Sequence, residues 1–233
     1  MSPTPSLRFP RVPFAAAVLV AMTLSAATSS AEPAQDADAT DRAQADASAY
    51  VGDPYPLATC PVSGEPLGDN PVPHVHDGRH LLFATADHVE AFKADPGKYL
   101  ADVDAKLIET QREHYPLDTC PVSGQALGSM GEPVEMVVGN RLVKLCCGGC
   151  VGKAEADPEA VIAKLDAAVI AQQADGYAAT TCPVSGQNLD AMGGPLNYVV
   201  ANRLVKLCCE GCVPAVEAYP VRVLVEIDAG HDD

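Results

Sequence analysis

The residues most able to do chemistry in this chain are its nine cysteines, among 233 residues in all. Eight of them form two sets of equal spacing, in which one early cysteine is followed 26 residues later by a Cys-Cys-x-x-Cys cluster. The sets are Cys120, Cys146, Cys147, Cys150 and Cys182, Cys208, Cys209, Cys212. Four thiolates can enclose a tetrahedral Zn²⁺, and three suit Cu(I). Because the spacing occurs twice, we predict two metal sites built from these eight residues.

Two other uses of the cysteines stay open. Small secreted domains commonly pair their cysteines as disulfides, although nine cannot all pair and the adjacent Cys146 and Cys147 make an awkward bridge. The second use is thiol–disulfide redox chemistry at Cys147-Gly-Gly-Cys150 and Cys209-Glu-Gly-Cys212, because each motif follows a predicted strand and opens a predicted helix. We find no Ser/His/Asp arrangement or phosphate-binding Gly-rich loop, so redox chemistry is the only enzymatic alternative.

The cysteine sets belong to a sequence unit that occurs three times. A Tyr-x-x-x-Thr-Cys-Pro-Val-Ser-Gly motif begins at Tyr55, Tyr115 and Tyr177, so the unit recurs after 60 and then 62 residues. We divide this part of the chain into repeat 1 (54–114), repeat 2 (115–176) and repeat 3 (177–233). Solenoid repeats are usually shorter, so the spacing favours a tandem of small domains.

Each repeat shows the same order of predicted elements. A Cys-Pro-Val-Ser-Gly turn precedes a β-hairpin, whose turn lies at Asp77-Gly78, Gly139-Asn140 or Ala201-Asn202. A short helix then stops before a proline, and a second helix follows it. The second helices are predicted over 98–113, 159–174 and 221–228, the last of which alternates apolar residues as a strand does. The predicted fold class is α+β: three tandem treble-clef or zinc-ribbon-like units, each with a cysteine knuckle, a hairpin and two short helices.

This order of elements explains how distant cysteines would meet. A hairpin returns the chain to its origin, so the early cysteine reaches the later cluster. Cys150 and Cys212 fall at a predicted helix start, where the helix dipole and free N–H groups favour a thiolate. We therefore expect the late cysteine to favour the thiolate, which is the form that a metal needs.

Repeat 1 departs from this pattern. Counting back from the proline places His88 where the other repeats have their last cysteine, and Ala84 where they have the first of the cluster. Cys60 and His88 are what remain of the ligand set. His74 and His76 lie on one face of a predicted strand, so repeat 1 either binds metal through Cys60, His88, His74 and His76 or has lost its site.

The interior of repeat 1 also differs in composition. Repeats 2 and 3 contain no Phe or Trp, whereas repeat 1 has Phe83, Phe92 and Tyr99. Domains of about 60 residues are marginally stable and often need a metal or a disulfide to stay folded. We expect repeat 1 to depend less on a metal than the other two repeats.

The N-terminal part of the chain predicts export. Arg8 and Arg11 precede an apolar run over 14–24 and small residues at Ser29-Ser30-Ala31, which is the pattern of a cleaved signal peptide over 1–31. Residues 32–53 have the composition of a disordered acidic linker. The predicted location is periplasmic or extracellular, without stable membrane insertion. A net charge of −16 argues against nucleic acid as a partner.

The repeats resemble the YHS domain and its relative, the TRASH domain. The resemblance rests on Cys-Pro-Val-x-Gly, a hairpin, a Cys-x-x-x-Cys pair and a helix ending at Asp-Pro, and it covers 55–233. It implies a treble-clef-like fold that binds soft metals, with links to copper handling. The ligands that it implies are Cys120, Cys146, Cys150, Cys182, Cys208 and Cys212. The chain departs from the family pattern by an extra cysteine at Cys147 and Cys209, and by serines in place of a common second knuckle cysteine at Ser63, Ser123 and Ser185.

Together these features predict an exported, acidic metal-binding protein that sequesters or transfers Cu(I) or Zn²⁺. Its expected partners are metal ions and a metal-transport or metal-donor protein. The alternatives are a thiol–disulfide redox protein that uses the two Cys-x-x-Cys pairs, and a disulfide-stabilised structural or interaction protein without metal.

Overall fold

The structure is a computed structural model that describes residues 53–229. The predicted signal peptide, the predicted linker up to residue 52 and the last four residues lie outside this range. The described residues contain six α-helices and three antiparallel β-hairpins, one in each repeat. The mixed α+β class predicted from the sequence is therefore confirmed.

The three hairpins lie where the sequence predicts them. Their strands are β1 (Val72–His76), β2 (Arg79–Phe83), β3 (Val134–Val138), β4 (Arg141–Leu145), β5 (Leu196–Val200) and β6 (Arg203–Leu207). Tight hairpin turns need residues with positive φ, and Asp77, Gly78, Gly139, Ala201 and Asn202 supply them. Strands β4 and β6 end one residue before the cysteine cluster, so each hairpin delivers that cluster at the end of a strand.

Each hairpin is followed by two consecutive helices. They are α1 (Ala86–Ala94), α2 (Gly97–Gln111), α3 (Val151–Ala156), α4 (Pro158–Gln173), α5 (Val213–Ala218) and α6 (Pro220–Ala229). The last of these is helical despite its strand-like alternation. Val223 and Ile227 lie four residues apart on its buried face, whereas Val225 is 60% exposed. Packing against repeat 3 therefore decides the conformation of this segment.

The interiors of the repeats differ as their compositions predict. Phe83 and Phe92 are fully buried in repeat 1, with ring centroids 5.2 Å apart. The cores of repeats 2 and 3 combine aliphatic side chains with cysteines, as in the cluster of Val143, Leu145 and Cys146. Burial of cysteine sulfurs thus takes the place that aromatic rings occupy in repeat 1.

Successive repeats are joined by hydrogen bonds between their hairpin turns. Arg79 Nε donates to Asn140 Oδ1 at 3.1 Å, and Arg141 Nε donates to Asn202 Oδ1 at 2.9 Å, so each contact joins residues 61 positions apart. The completely buried Arg141 guanidinium also pairs with Asp166 at 2.9 Å and with Asp53 at 3.0 Å. Asp53, the last residue of the predicted linker, is thus bound to repeat 2.

The side chain of Gln111, at the end of α2, contacts all three repeats. Its amide nitrogen donates to Asn140 O at 2.8 Å. Its amide oxygen accepts from the Leu142 N–H at 3.0 Å and from Asn202 Nδ2 at 3.2 Å. Gln173 of α4 repeats the pattern with Asn202 O and the Leu204 N–H. The buried amide of Gln111 and the half-buried amide of Gln173 satisfy these backbone groups, which would otherwise be costly to bury.

No helix within residues 53–229 has the length and apolar character needed to cross a membrane.

Candidate metal centre

The sulfurs of three cysteines meet in each of repeats 2 and 3. Residues 53–229 contain two groups of three cysteines, and within each group all the sulfurs lie within 4.8 Å of one another. One group is Cys120, Cys146 and Cys150, and the other is Cys182, Cys208 and Cys212. We call these groups the repeat 2 triad and the repeat 3 triad. All nine cysteines of the chain are free thiols. The predicted convergence of the early cysteine on the late cluster is therefore confirmed.

Two local structures bring the repeat 2 triad together. The knuckle turn holds Cys120, whose N–H donates to Gln125 O at 2.8 Å and whose carbonyl accepts from the Gly124 N–H at 2.8 Å. Gly124 closes this turn at a φ of 75°, in the left-handed region that favours glycine. Strand β4 then places Cys146 beside the turn, and Cys150 lies at the start of α3.

The distances between sulfurs fit a shared ion. Sγ of Cys146 and Sγ of Cys150 are 3.8 Å apart, and the equivalent distance between Cys208 and Cys212 is 3.8 Å. Cys182 Sγ lies 3.7 Å from Cys212 Sγ. An ion about 2.3 Å from each sulfur in tetrahedral geometry requires a separation of ~3.8 Å, whereas a disulfide requires about 2.05 Å. The triads are therefore spaced for coordination.

The triads are shielded from solvent. The exposed fractions of Cys120, Cys146 and Cys150 are 1%, 2% and 6%, and those of the repeat 3 triad are equally small. Three buried thiols form a soft donor set, which favours Cu(I) and Zn²⁺ over hard cations. The residues present therefore fit a soft ion.

The early cysteine is the one that ionises easily. Burial by itself would raise the pKa of Cys120, but its sulfur accepts hydrogen bonds from the Ser123 hydroxyl and from backbone N–H groups, including that of Cys146. These hydrogen bonds stabilise the thiolate and lower the pKa of Cys120 to about 6. The same arrangement lowers the pKa of Cys182 to about 6. One thiolate per triad is thus available at neutral pH.

The late cysteine behaves in the opposite way, which corrects the expectation from helix position. Burial and the neighbouring sulfurs of Cys146 and Cys120 raise the pKa of Cys150 to about 12. The pKa of Cys212 is raised to about 12 for the same reasons. The short 3₁₀ turn over Gly148–Cys150 gives Cys150 too little helix dipole to offset its surroundings. An incoming ion must displace this proton.

Cys147 and Cys209 lie next to the triads but do not belong to them. Cys147 Sγ is 4.0 Å from Cys146 Sγ, and Cys209 Sγ is 3.9 Å from Cys208 Sγ, but neither belongs to its group of mutually close sulfurs. Both are half-buried, in contrast to the triads. Hydrogen bonds from the Gly149 N–H and from Cys146 lower the pKa of Cys147.

Repeat 1 brings together two of its four candidate ligands. Cys60 Sγ lies 3.4 Å from His88 Nδ1. His74 and His76 lie on the same face of β1, as predicted, but their rings pack against Phe92 at centroid distances of 6.1 and 5.2 Å. No third ligand atom among residues 53–229 joins the Cys60–His88 pair within 4.8 Å. Repeat 1 therefore lacks a three-ligand site of the kind that the other repeats have.

Sequence reasoning treated the knuckle serines only as missing cysteines. Ser123 Oγ is 3.2 Å from Cys146 Sγ, and Ser185 Oγ is 3.3 Å from Cys208 Sγ. The recurrence of serine three residues after each early cysteine was the available signal. Each serine hydroxyl can donate a hydrogen bond to a thiolate. The serines therefore influence the ionisation of the cysteines and do not take their place as ligands.

Comparison of the chain with protein-family models, with curated proteins and with solved structures gives no match in any of the three.

Proposed function

We propose that this protein is an exported carrier of soft metal ions that holds one Cu(I) or Zn²⁺ in each triad, for sequestration or for transfer. The observation that carries the proposal is the pair of buried triads, in which neighbouring sulfurs lie 3.7 and 3.8 Å apart. The resemblance of the repeats to the YHS and TRASH domains supports it, together with the treble-clef-like fold that the resemblance implies.

Three thiolates favour Cu(I) as the cargo. Cu(I) is satisfied by three soft ligands, whereas structural Zn²⁺ takes four. Cys147, whose sulfur is 4.0 Å from that of Cys146, is the candidate fourth ligand if the cargo is zinc. The donor count therefore separates the two ions: a Cu(I) site withstands loss of Cys147, and a zinc site does not.

Export and charge support a role in handling metals outside the cytoplasm. The signal-like segment over 1–31 supports export, and 31 acidic against 15 basic residues raise the local concentration of cations. A buried sulfur site in an oxidising compartment also protects its thiols, because thiols that hold a metal are not free to form disulfides. The partner would be a metal-donor or metal-transport protein.

Elemental analysis of the full chain purified from its own host tests this proposal. We expect about two equivalents of metal. Cys150→Ser and Cys212→Ser should each lose one equivalent, and the double variant should lose both. Cys60→Ser is the matched control, since it removes a buried thiol outside the triads and should retain two equivalents. Metal-free protein with all its thiols reduced would contradict the proposal.

A second candidate function is thiol–disulfide exchange at the Cys-x-x-Cys pairs. Its specific support is the contrast between Cys147, which is half-buried with a lowered pKa, and Cys150, which is buried with a raised pKa. An exposed nucleophile beside a buried resolving thiol is the arrangement that such chemistry uses. Metal-free protein should then reduce the disulfides of insulin, and Cys147→Ser should abolish that activity. A disulfide-stabilised structural protein would instead show no free thiols when denatured without reductant.

A further inference from the structure

The triads are closed to any donor molecule, which raises the question of how an ion enters. Their six cysteines are at most 6% exposed, so a donor's thiolate cannot reach them while it still holds an ion. A sulfur that is accessible and also within bridging distance of a triad would remove this obstacle.

Cys147 and Cys209 meet both conditions. They are the half-buried cysteines of their repeats, and their sulfurs lie 4.0 and 3.9 Å from those of Cys146 and Cys208. An ion about 2.3 Å from two sulfurs can bridge a gap of up to ~4.6 Å. On the basis of the function proposed above, we propose that Cys147 and Cys209 are transfer ligands, which take a soft ion from a thiolate donor and pass it to the triads.

The absence of a side chain beside each sulfur supports this role. Gly149 and Gly211 are exposed, and a Cβ atom on them would lie 3.8 and 3.6 Å from the sulfurs of Cys147 and Cys209. Neither glycine has a positive φ, so the backbone does not require glycine there. The gap therefore leaves the sulfur open to an approaching donor.

Comparison with repeat 1 argues against a purely structural role. Thr85 occupies the equivalent position there and caps α1, with Oγ1 accepting from the His88 N–H at 3.3 Å. Threonine is a preferred N-cap residue, so this turn does not need a cysteine. Cysteine stands at this position in the two repeats that have a triad, and threonine stands there in the repeat that lacks one.

The exchange step keeps the oxidation state of the ion unchanged. The Cys147 thiol loses its proton to solvent and forms a metal–sulfur bond, and one donor thiolate leaves the ion and takes up a proton. The ion then bonds to Cys146, whose proton is released, and the remaining donor sulfur departs. Bonds to Cys120 and Cys150 form as the bond to Cys147 breaks, and the proton that Cys150 loses is taken up by the Cys147 thiolate.

Uptake kinetics of the full chain test the proposal, with Cu(I) supplied as its glutathione complex. The variant is Cys147→Thr with Cys209→Thr, which places at both positions the residue that repeat 1 has as Thr85, a preferred helix cap. We expect two bound equivalents, as in the unchanged chain, but uptake at least about tenfold slower. Gly149→Leu should also slow uptake at repeat 2, whereas Gly148→Leu should not, since a Cβ at Gly148 contacts nothing within 4 Å.

Each other outcome has a distinct meaning. Unchanged stoichiometry with an unchanged rate would overturn the transfer role and leave the metal function intact. Loss of an equivalent in the threonine variant would make Cys147 and Cys209 resident ligands and overturn the proposal in that way. Failure of the unchanged chain to take up Cu(I) would refute the proposed Cu(I) function, and the transfer of Cu(I) with it.

Discussion

Repeat 1 and repeats 2 and 3 use one backbone arrangement with two different interiors. The three clustered cysteines of repeat 2 are replaced in repeat 1 by Ala84, Thr85 and His88, and Phe92 takes the place of Ala154. Phe92 is fully buried and its ring contacts Phe83, Tyr99 and two histidines. The comparison teaches that a packed aromatic cluster and a sulfur triad are alternative ways to fill the same small core.

Removal of metal should separate the two kinds of repeat most strongly. A structural ion contributes on the order of 10 kcal/mol of apparent binding free energy, which is comparable to the whole stability of a small domain. We expect a strong chelator with reductant to abolish hydrogen-exchange protection in β3–β4 and β5–β6. Protection in β1–β2 should survive, because Phe83 and Phe92 hold that core without a metal. Equal loss in all three hairpins would refute the distinction.

Restoring the missing cysteines should turn repeat 1 into a third metal site. In the variant Ala84→Cys with His88→Cys, Cys60 is already buried in the knuckle turn, so the new thiols complete a triad on the same frame. We expect elemental analysis to rise from about two equivalents to about three. The matched control is Ala84→Ser with His88→Ser, which changes the same positions without adding sulfur. A metal count that stays at two would mean that the backbone of repeat 1 does not bring three sulfurs together as the other repeats do.

Two arginines of the hairpin turns, Arg141 and Arg203, should differ in their effect on stability. Arg141 is fully buried between Asp53 and Asp166, so Arg141→Met leaves carboxylates unpaired and should cost about 3–5 kcal/mol in the free energy of unfolding. Arg203 pairs with Asp228, whose side chain is 59% exposed, so Arg203→Met should cost about 1 kcal/mol or less. Denaturant titration of metal-loaded protein measures both. Similar costs at the two sites would contradict a central role for Arg141.

The affinity of the triads for metal should fall as the pH falls. Protons compete with the ion for sulfur, and the Cys150 proton must be displaced throughout the neutral range because its pKa is raised to about 12. The apparent affinity should therefore drop at least about tenfold per pH unit. Below about pH 6 Cys120 is also protonated, and the dependence should steepen by one proton. Competition titrations from pH 5 to 8 measure this slope, and a constant slope would contradict the assigned role of Cys120.

The sequence predicted the repeated elements well because their signals are local. Turn residues and apolar strands placed the hairpins, and helix-starting prolines placed the second helices, within a residue or two. Equal cysteine spacing located the two sets of four cysteines that contain the triads. The easy ionisation expected of Cys150 was wrong and that of Cys120 was not predicted, because both depend on hydrogen bonds and neighbouring sulfurs that only the folded chain brings together. The Arg141 network was missed for the same reason: its partners Asp53, Asp166 and Asn202 come from three separate segments.

The side chain of Gln111 has a consequence for how such a chain evolves. The interior of one copy can differ from the interiors of the others, as repeat 1 shows. A residue whose one amide holds backbone and side-chain groups of two other copies does not share that freedom. A mutation of Gln111 therefore disturbs three copies at once. The interior of each copy can change alone, whereas the residues that join the copies have to change together.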